Sequence, residues 1–245
     1  MNTQSTSSLS GKKVILLGAS SGIGLATAKA AAAEGANIVI VSSNQQRIDN
    51  ALTELPAGSK GYAVDLSKEE NIKAFFEGIG NFDHLVFTAA ENLKLNIIAE
   101  TEIAQAQTFF NLRFWSMFAA VKYGSKNLNP GGSINLTGGI AGMRPGKGWS
   151  VASAICGAME GFVRAMAVEL APIRVNSVVP GVIQTNHWSS MSQTDREALY
   201  QSVPNTIPVQ RAGQADDVAL TFIYLMKQQF GTGQNIVVDG GTVLV

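Results

Sequence analysis

One cysteine, Cys156, and two histidines, His84 and His187, are all the thiol and imidazole that this 245-residue chain contains. A lone thiol excludes an internal disulfide, and a cysteine-based metal site needs several thiolates at set spacing, so no metal is expected. Excess charge of one sign is lacking too, since 18 basic residues balance 18 acidic ones. Without a basic block, neither nucleic acid nor an anionic membrane is the expected partner, and a small molecule fits better. Long apolar runs are also missing: no stretch has the roughly 20 uninterrupted apolar residues of a membrane span. The polar start, Met1–Ser10, has no apolar centre of the kind a signal peptide carries. These absences lead to the expectation of a cytoplasmic protein, with residues 1–10 a flexible tail and 11–245 one domain.

What the chain does have is 46% hydrophobic residues and 25 glycines. Three of those glycines lie together in Leu-Leu-Gly-Ala-Ser-Ser-Gly-Ile-Gly, Leu16–Gly24, between the apolar run Val14–Leu17 and the alanine-rich Leu25–Ala33. A strand that enters a glycine-rich turn and then a helix gathers unpaired N–H groups and the positive end of a helix dipole at one point, where a phosphate fits. The spacing, Gly18-x-x-x-Gly22-x-Gly24, differs from the commoner Gly-x-Gly-x-x-Gly. By itself it is also compatible with a strand-to-helix connection that binds nothing.

Short Val/Ile/Leu runs alternate with helical patterns along the chain. Strands are expected at 13–17, 37–42, 60–64, 84–88, 132–136, 173–179 and 234–238, and helices at 24–34, 46–55, 68–79, 102–126, 152–170 and 214–227. Continuous apolar strands of about five residues suit a sheet covered by helices on both faces, so the expected fold is α/β, a Rossmann-type doubly wound parallel sheet in a single domain. The weakly patterned 186–208 reads as a mobile, mixed helical insertion.

In such sheets ligands lie beyond the carboxyl ends of the strands. After the second strand come Ser42, Ser43, Asn44 and Arg47, with no carboxylate for a ribose hydroxyl. Hydroxyls, an amide and a guanidinium suit a 2′-phosphate, so NADP(H) is favoured over NAD(H); a polar loop with a solvated Arg47 is the competing interpretation. After the third strand, Asp65-Leu66 is placed to hold an adenine amino group. Alternatively Asp65 or Ser67 caps the next helix, Ser67 with Glu70 three residues on.

With these positions in view, the chain resembles the short-chain dehydrogenase/reductase family over nearly its whole length. Gly18–Gly24 matches the family's Thr-Gly-x-x-x-Gly-Ile-Gly, with Leu17 where Thr is usual, and Asp65 matches its adenine-contacting Asp. His84–Ala90 resembles the strand that ends in Asn-Asn-Ala-Gly. Arg174-Val175-Asn176 and Pro180-Gly181-Val182-Ile183-Gln184-Thr185 resemble the segment leading to the nicotinamide, and Gly231–Gly241 is similar to the family's tail. The resemblance implies cofactor contacts from Gly18, Ser20, Ser21, Gly22, Ile23, Gly24, Ala89, Ala90, Pro180, Gly181, Ile183 and Thr185. It also implies a homodimer or homotetramer, and the apolar ending Thr242–Val245 agrees with a buried C-terminus.

The family's working members use a Tyr, a Lys four residues later, a Ser and an Asn. Here the Tyr position falls on Ala152, the Lys position on Cys156, the Ser position on Gly139 and the Asn position on Arg113, with Asn111 close by. No Tyr lies between Tyr123 and Tyr200, so no shift of register restores the pair. A methyl, a largely uncharged thiol and a bare backbone cannot carry the usual proton transfer.

Substitutes for that chemistry are His187, Arg113 and Lys147, each with a plainer role as a packed, interface or surface side chain. Thr137 and Ser150 offer hydroxyls, Cys156 is a nucleophile or a packed core thiol, and Trp149 and Trp188 are pocket walls or lid packing. Two functions stay open. One is an NADP(H)-dependent oxidoreductase of a small carbonyl or alcohol with a non-standard acid–base arrangement; the other is a non-catalytic NADP(H)-binding protein, a sensor or assembly partner.

Overall fold

The computed structural model describes residues 8–92 and 95–245. Seven strands, all parallel, form one sheet: β1 Lys13–Leu17, β2 Asn37–Ser42, β3 Lys60–Ala63, β4 Phe82–Phe87, β5 Leu128–Thr137, β6 Arg174–Pro180 and β7 Asn235–Val238, in the order 3-2-1-4-5-6-7. The order reverses between β1 and β4, so a crevice opens at their carboxyl ends. The central strands are apolar throughout because both faces are covered. Val14, Ile15, Leu16 and Leu17 are all fully buried, and one core cluster lies on each side of the sheet.

Helices α1 Gly22–Ala33, α2 Gln45–Leu52, α3 Glu69–Ile79, α4 Ile103–Phe110, α5 Ser116–Gly124, α6 Ser150–Glu169, α7 Gln193–Ser202 and α8 Ala215–Lys227 complete the molecule. α6 is long and apolar enough to cross a membrane by length and composition, but Ile155, Met159, Phe162 and Val163 bury its inner face in the core.

Three expectations are corrected here. The single helix expected at 102–126 is two helices joined by a π-helical turn, Asn111–Trp115. Such widened turns change the direction in which side chains leave the helix, which periodicity does not reveal. Ser67 does not cap α3: Lys68 is the N-cap residue, and the Ser67 hydroxyl instead donates to Asp65 at 2.6 Å. Outside these corrections, residues 186–208 hold α7 flanked by single turns at Asn186–Trp188 and Val203–Asn205, in keeping with a mixed helical segment. Of the expected tail, residues 1–7 lie outside the described residues, whereas Leu9 is buried in the core beneath α1.

Candidate active site

The β1–α1 turn is built by close approach. Gly18 has φ +88°, and a Cβ there would lie 2.4 Å from the Ala89 backbone. A Cβ at Gly24 would meet Thr88 Oγ1 at 2.5 Å. Glycine therefore allows the turn to pack against the end of β4. The Gly18 N–H donates to Val41 at 2.8 Å and the Thr88 N–H to Leu17 at 2.8 Å, so the three strand ends are held in one layer. Ser21, the N-cap of α1, makes no side-chain cap hydrogen bond, and the first turn of α1 carries no acid. The helix thus offers uncapped N–H donors to an anion.

These donors face a cleft of ≈ 330 Å³ along the carboxyl edge of the sheet. Gly18, Ser20, Ser21, Gly22, Ile23 and Gly24 line it from the first turn, and Ser42, Ser43 and Arg47 from the second. Asp65, Leu66, Ala89 and Ala90 follow, and Pro180, Gly181, Ile183 and Thr185 close the other end. Among the expected cofactor residues Asn44 alone is not in this lining. Its amide oxygen accepts from the Arg47 N–H at 2.9 Å, which makes it the cap of α2. Asp65 lines the cleft, but one carboxylate oxygen accepts from both the Ser67 N–H and its hydroxyl, which holds its pKa below the usual carboxylate range.

The end of the cleft expected to hold the nicotinamide is different in character. Gly139 and Cys156 are neighbours, since a Cβ on Gly139 would lie 3.3 Å from Cys156 Sγ. Ala152 precedes Cys156 by one turn of α6 and is buried. Burial pushes the Cys156 thiol up, so it is neutral as expected. Arg113, on the π-helical turn, reaches into the space between: its Nη2 donates to the Glu91 carbonyl at 2.8 Å, and its guanidinium lies 4.4 Å from the Phe109 ring centre. Nη2 is also 3.4 Å from His187 Nε2. Asn111 turns away and donates to the Ser67 carbonyl at 2.9 Å.

Two proposed substitutes change standing. Desolvation, then the Arg113 charge, push His187 down to about 4, so its ring is neutral near neutral pH and its Nε2 faces a permanent donor. An acid near neutrality it is not. Lys147 is exposed and does not line the cleft, and Trp149 packs on the core outside it, whereas Trp188 is a cleft wall, anchored by Nε1 to the Ile183 carbonyl at 2.9 Å. Thr137 lines the cleft with its hydroxyl donating to Phe87 at 2.8 Å.

One residue was missed altogether. Glu91 follows the end of β4, and its Oε1 lies 3.7 Å from Arg113 Nε. Its carboxylate oxygens are shielded from solvent and accept from no other described residue, and desolvation raises its pKa against the opposing pull of Arg113. No motif flags it; its position just after a strand end is the only signal in the sequence.

A doubly wound sheet with an uncapped helix N-terminus at its switch point defines a dinucleotide-binding α/β protein. The family model described as enoyl-(acyl carrier protein) reductase matches residues 18–243. The chain therefore belongs to the short-chain dehydrogenase/reductase family, a family of oxidoreductases that use a nicotinamide cofactor. It is 32% identical to a short-chain dehydrogenase/reductase of Stachybotrys chlorohalonatus, over 96% of this chain and 98% of that one. With carbonyl reductase family member 4 of Danio rerio it shares 31% identity, over 94% and 98%. Among solved structures, a small-chain dehydrogenase in complex with NADPH superposes with TM-score 0.82 at 31% identity, covering 96% of this chain and all of that one. The MalC reductase/Diels-Alderase of Malbranchea aurantiaca superposes with TM-score 0.88 at 29% identity, covering 96% and 97%.

Proposed function

We propose that the protein is an NADP(H)-dependent oxidoreductase acting on a small carbonyl or alcohol through a non-standard acid–base arrangement. The observation that carries this reading is the cleft itself. Uncapped α1 donors suit a pyrophosphate, while Ser42, Ser43 and Arg47, with no carboxylate beside them, suit a 2′-phosphate. The relative solved with NADPH supports the same choice. The nicotinamide supplies the hydride when bound. The chain's part is to hold the substrate at the right distance and to manage one proton, and orientation alone contributes much of the rate.

The non-catalytic alternative draws on one observation, that Gly139, Ala152 and Cys156 offer no ionisable donor near neutrality and His187 is neutral. The proposal extends to a cytoplasmic homodimer or homotetramer. Trp115, Phe118 and Val168 are exposed on the α5–α6 side, and Leu244 and Val245 are 79% and 58% exposed in the single chain, so the apolar C-terminus is covered only if a second copy covers it.

A fluorescence titration from tryptophan to nicotinamide tests the cofactor, with Trp188 in the cleft wall as the reporter. NADPH should bind more tightly than NADH, and Arg47→Ala should weaken NADPH by about ten- to a hundredfold, the loss of a hydrogen bond to a charged group, with little effect on NADH. Equal affinities in the wild type would count against NADP(H). A turnover screen over aldehydes, ketones, enones and alcohols then separates the enzyme from the silent binder.

A further inference from the structure

Beside the cofactor cleft lies a second cavity of ≈ 440 Å³, and Asn92 is common to both linings. Phe109, Val151 and Ala152 give it apolar walls, Asn96 and Gln105 give it amides, and Glu91 is its one ionisable side chain among the described residues. A methyl at position 152 leaves this wall open, with no polar atom to meet a substrate oxygen. Glu91 is therefore the group in this cavity that can carry a proton.

The surroundings of Glu91 support that role. Among the described residues neither carboxylate oxygen has a hydrogen-bond partner from another residue, and Arg113 Nε, 3.7 Å from Oε1, is itself buried without one. An ionised carboxylate left so poorly solvated is costly, and the neutral acid costs far less. Once the proton has left, the adjacent guanidinium stabilises the anion. Arg113 is fixed for this by its bond to the Glu91 carbonyl and its stacking on Phe109. The other ionisable groups at the cluster are His187, which accepts from Arg113, and Cys156, whose thiol feels the charge of Arg113 and of Glu160.

We propose that Glu91 is the proton donor of this site in reduction and the acceptor in oxidation, with Arg113 as its positioning residue and the cavity beside Ala152 as the seat of an apolar ketone or aldehyde. This rests on the oxidoreductase reading above. When the carbonyl is reduced by the hydride that a bound nicotinamide would supply, its π pair would become a lone pair on oxygen. The Glu91 O–H bond breaks and an O–H bond forms on the product alcohol. Glu91 is left as a carboxylate paired with Arg113; because its oxygens are shielded in the resting chain, the side chain turns into the cavity to donate and to regain its proton from water.

Difference infrared spectroscopy of the protein with NADPH tests the assignment without turnover. A protonated-carboxyl band should titrate above the usual carboxylate range and be missing in Glu91→Gln. In Arg113→Met its midpoint should move up by about 1 pH unit, because the stabilising cation is gone. In reduction of ethyl acetoacetate and 2,3-butanedione, Glu91→Gln should lower kcat by about a hundredfold or more with NADPH affinity unchanged, and Glu91→Asp should keep part of the rate. A wild-type spectrum without the band, or a kcat in Glu91→Gln equal to the wild type, overturns the proposal. Should the wild type reduce neither probe, the band still decides. Failure of the wild type to bind NADPH removes the oxidoreductase reading instead.

Discussion

Arg113 and Cys156 stand close enough for the guanidinium to act on the thiol, and this pairing constrains any return to the family's usual chemistry. Gly139→Ser is tolerable, since the new Cβ meets Cys156 Sγ at 3.3 Å and the thiol is itself replaced. Cys156→Lys, however, sets a second cation beside a guanidinium that is already desolvated. The triple variant Gly139→Ser, Ala152→Tyr, Cys156→Lys should therefore bind NADPH yet reduce ethyl acetoacetate poorly, and adding Arg113→Asn should raise that rate by about tenfold or more. Equal rates in the triple and quadruple variants would show that Arg113 does not oppose the lysine. At this scale the sequence revealed which positions had lost their usual side chains. It did not reveal Glu91, because a carboxylate after Ala90 carries no motif and becomes notable only when Arg113 is found against it.

The β1–turn–α1 unit offers uncapped helix N–H donors suited to a phosphate, and its geometry depends on elements distant in sequence. Gly18→Ala would force a side chain onto φ +88° and into the Ala89 backbone at 2.4 Å. The left-handed backbone alone costs about 1–3 kcal/mol, and the clash adds to it. Urea denaturation should show a loss of at least that size, and NADPH binding should weaken with it. A variant as stable as the wild type would mean that the turn and the end of β4 can separate freely. Elements were well read from the chain: every expected strand and helix core is present, because five-residue apolar runs and amphipathic periodicity are local properties. The π-helical turn was not legible, since Asn-Leu-Arg-Phe-Trp continues the helical pattern on both sides. Nor was the start of α3, where Ser67 has a cap-like spacing but a nearer partner in Asp65.

Across the whole molecule, both histidines are neutral near neutral pH, His84 buried and His187 half-buried. His84 sits in the sheet with Nδ1 2.9 Å from Ser133 Oγ, and desolvation pushes it down to about 4, as it does His187. The unfolded chain takes up these protons near pH 6.5, whereas the folded one does so only near 4. The histidines' contribution to stability is thus full above about 6.5 and falls as the pH drops toward 4, by about 3 kcal/mol for His84 once that window is crossed. Glu91, held above its usual range, works in the opposite direction, and Asp83 and Asp217, held below theirs, add losses only at lower pH. By urea unfolding, the difference in stability between the wild type and His84→Asn should shrink from pH 7 to pH 5; a constant difference across that range would contradict the buried, neutral state of His84.

The sequence by itself determined the sheet, the glycine turn after β1 and which residues stand at positions 139, 152 and 156, because each is set by residues adjacent in the chain or by a spacing along it. Only the tertiary structure decided that Glu91 and His187 are set against Arg113. Glu91 and Arg113 are 22 residues apart and Arg113 and His187 are 74 apart, so their protonation and their alignment on one cavity depend on burial created when β4, the π-helical turn and the segment after β6 pack together. Desolvation is a property of that packing, and no pattern in the chain records it.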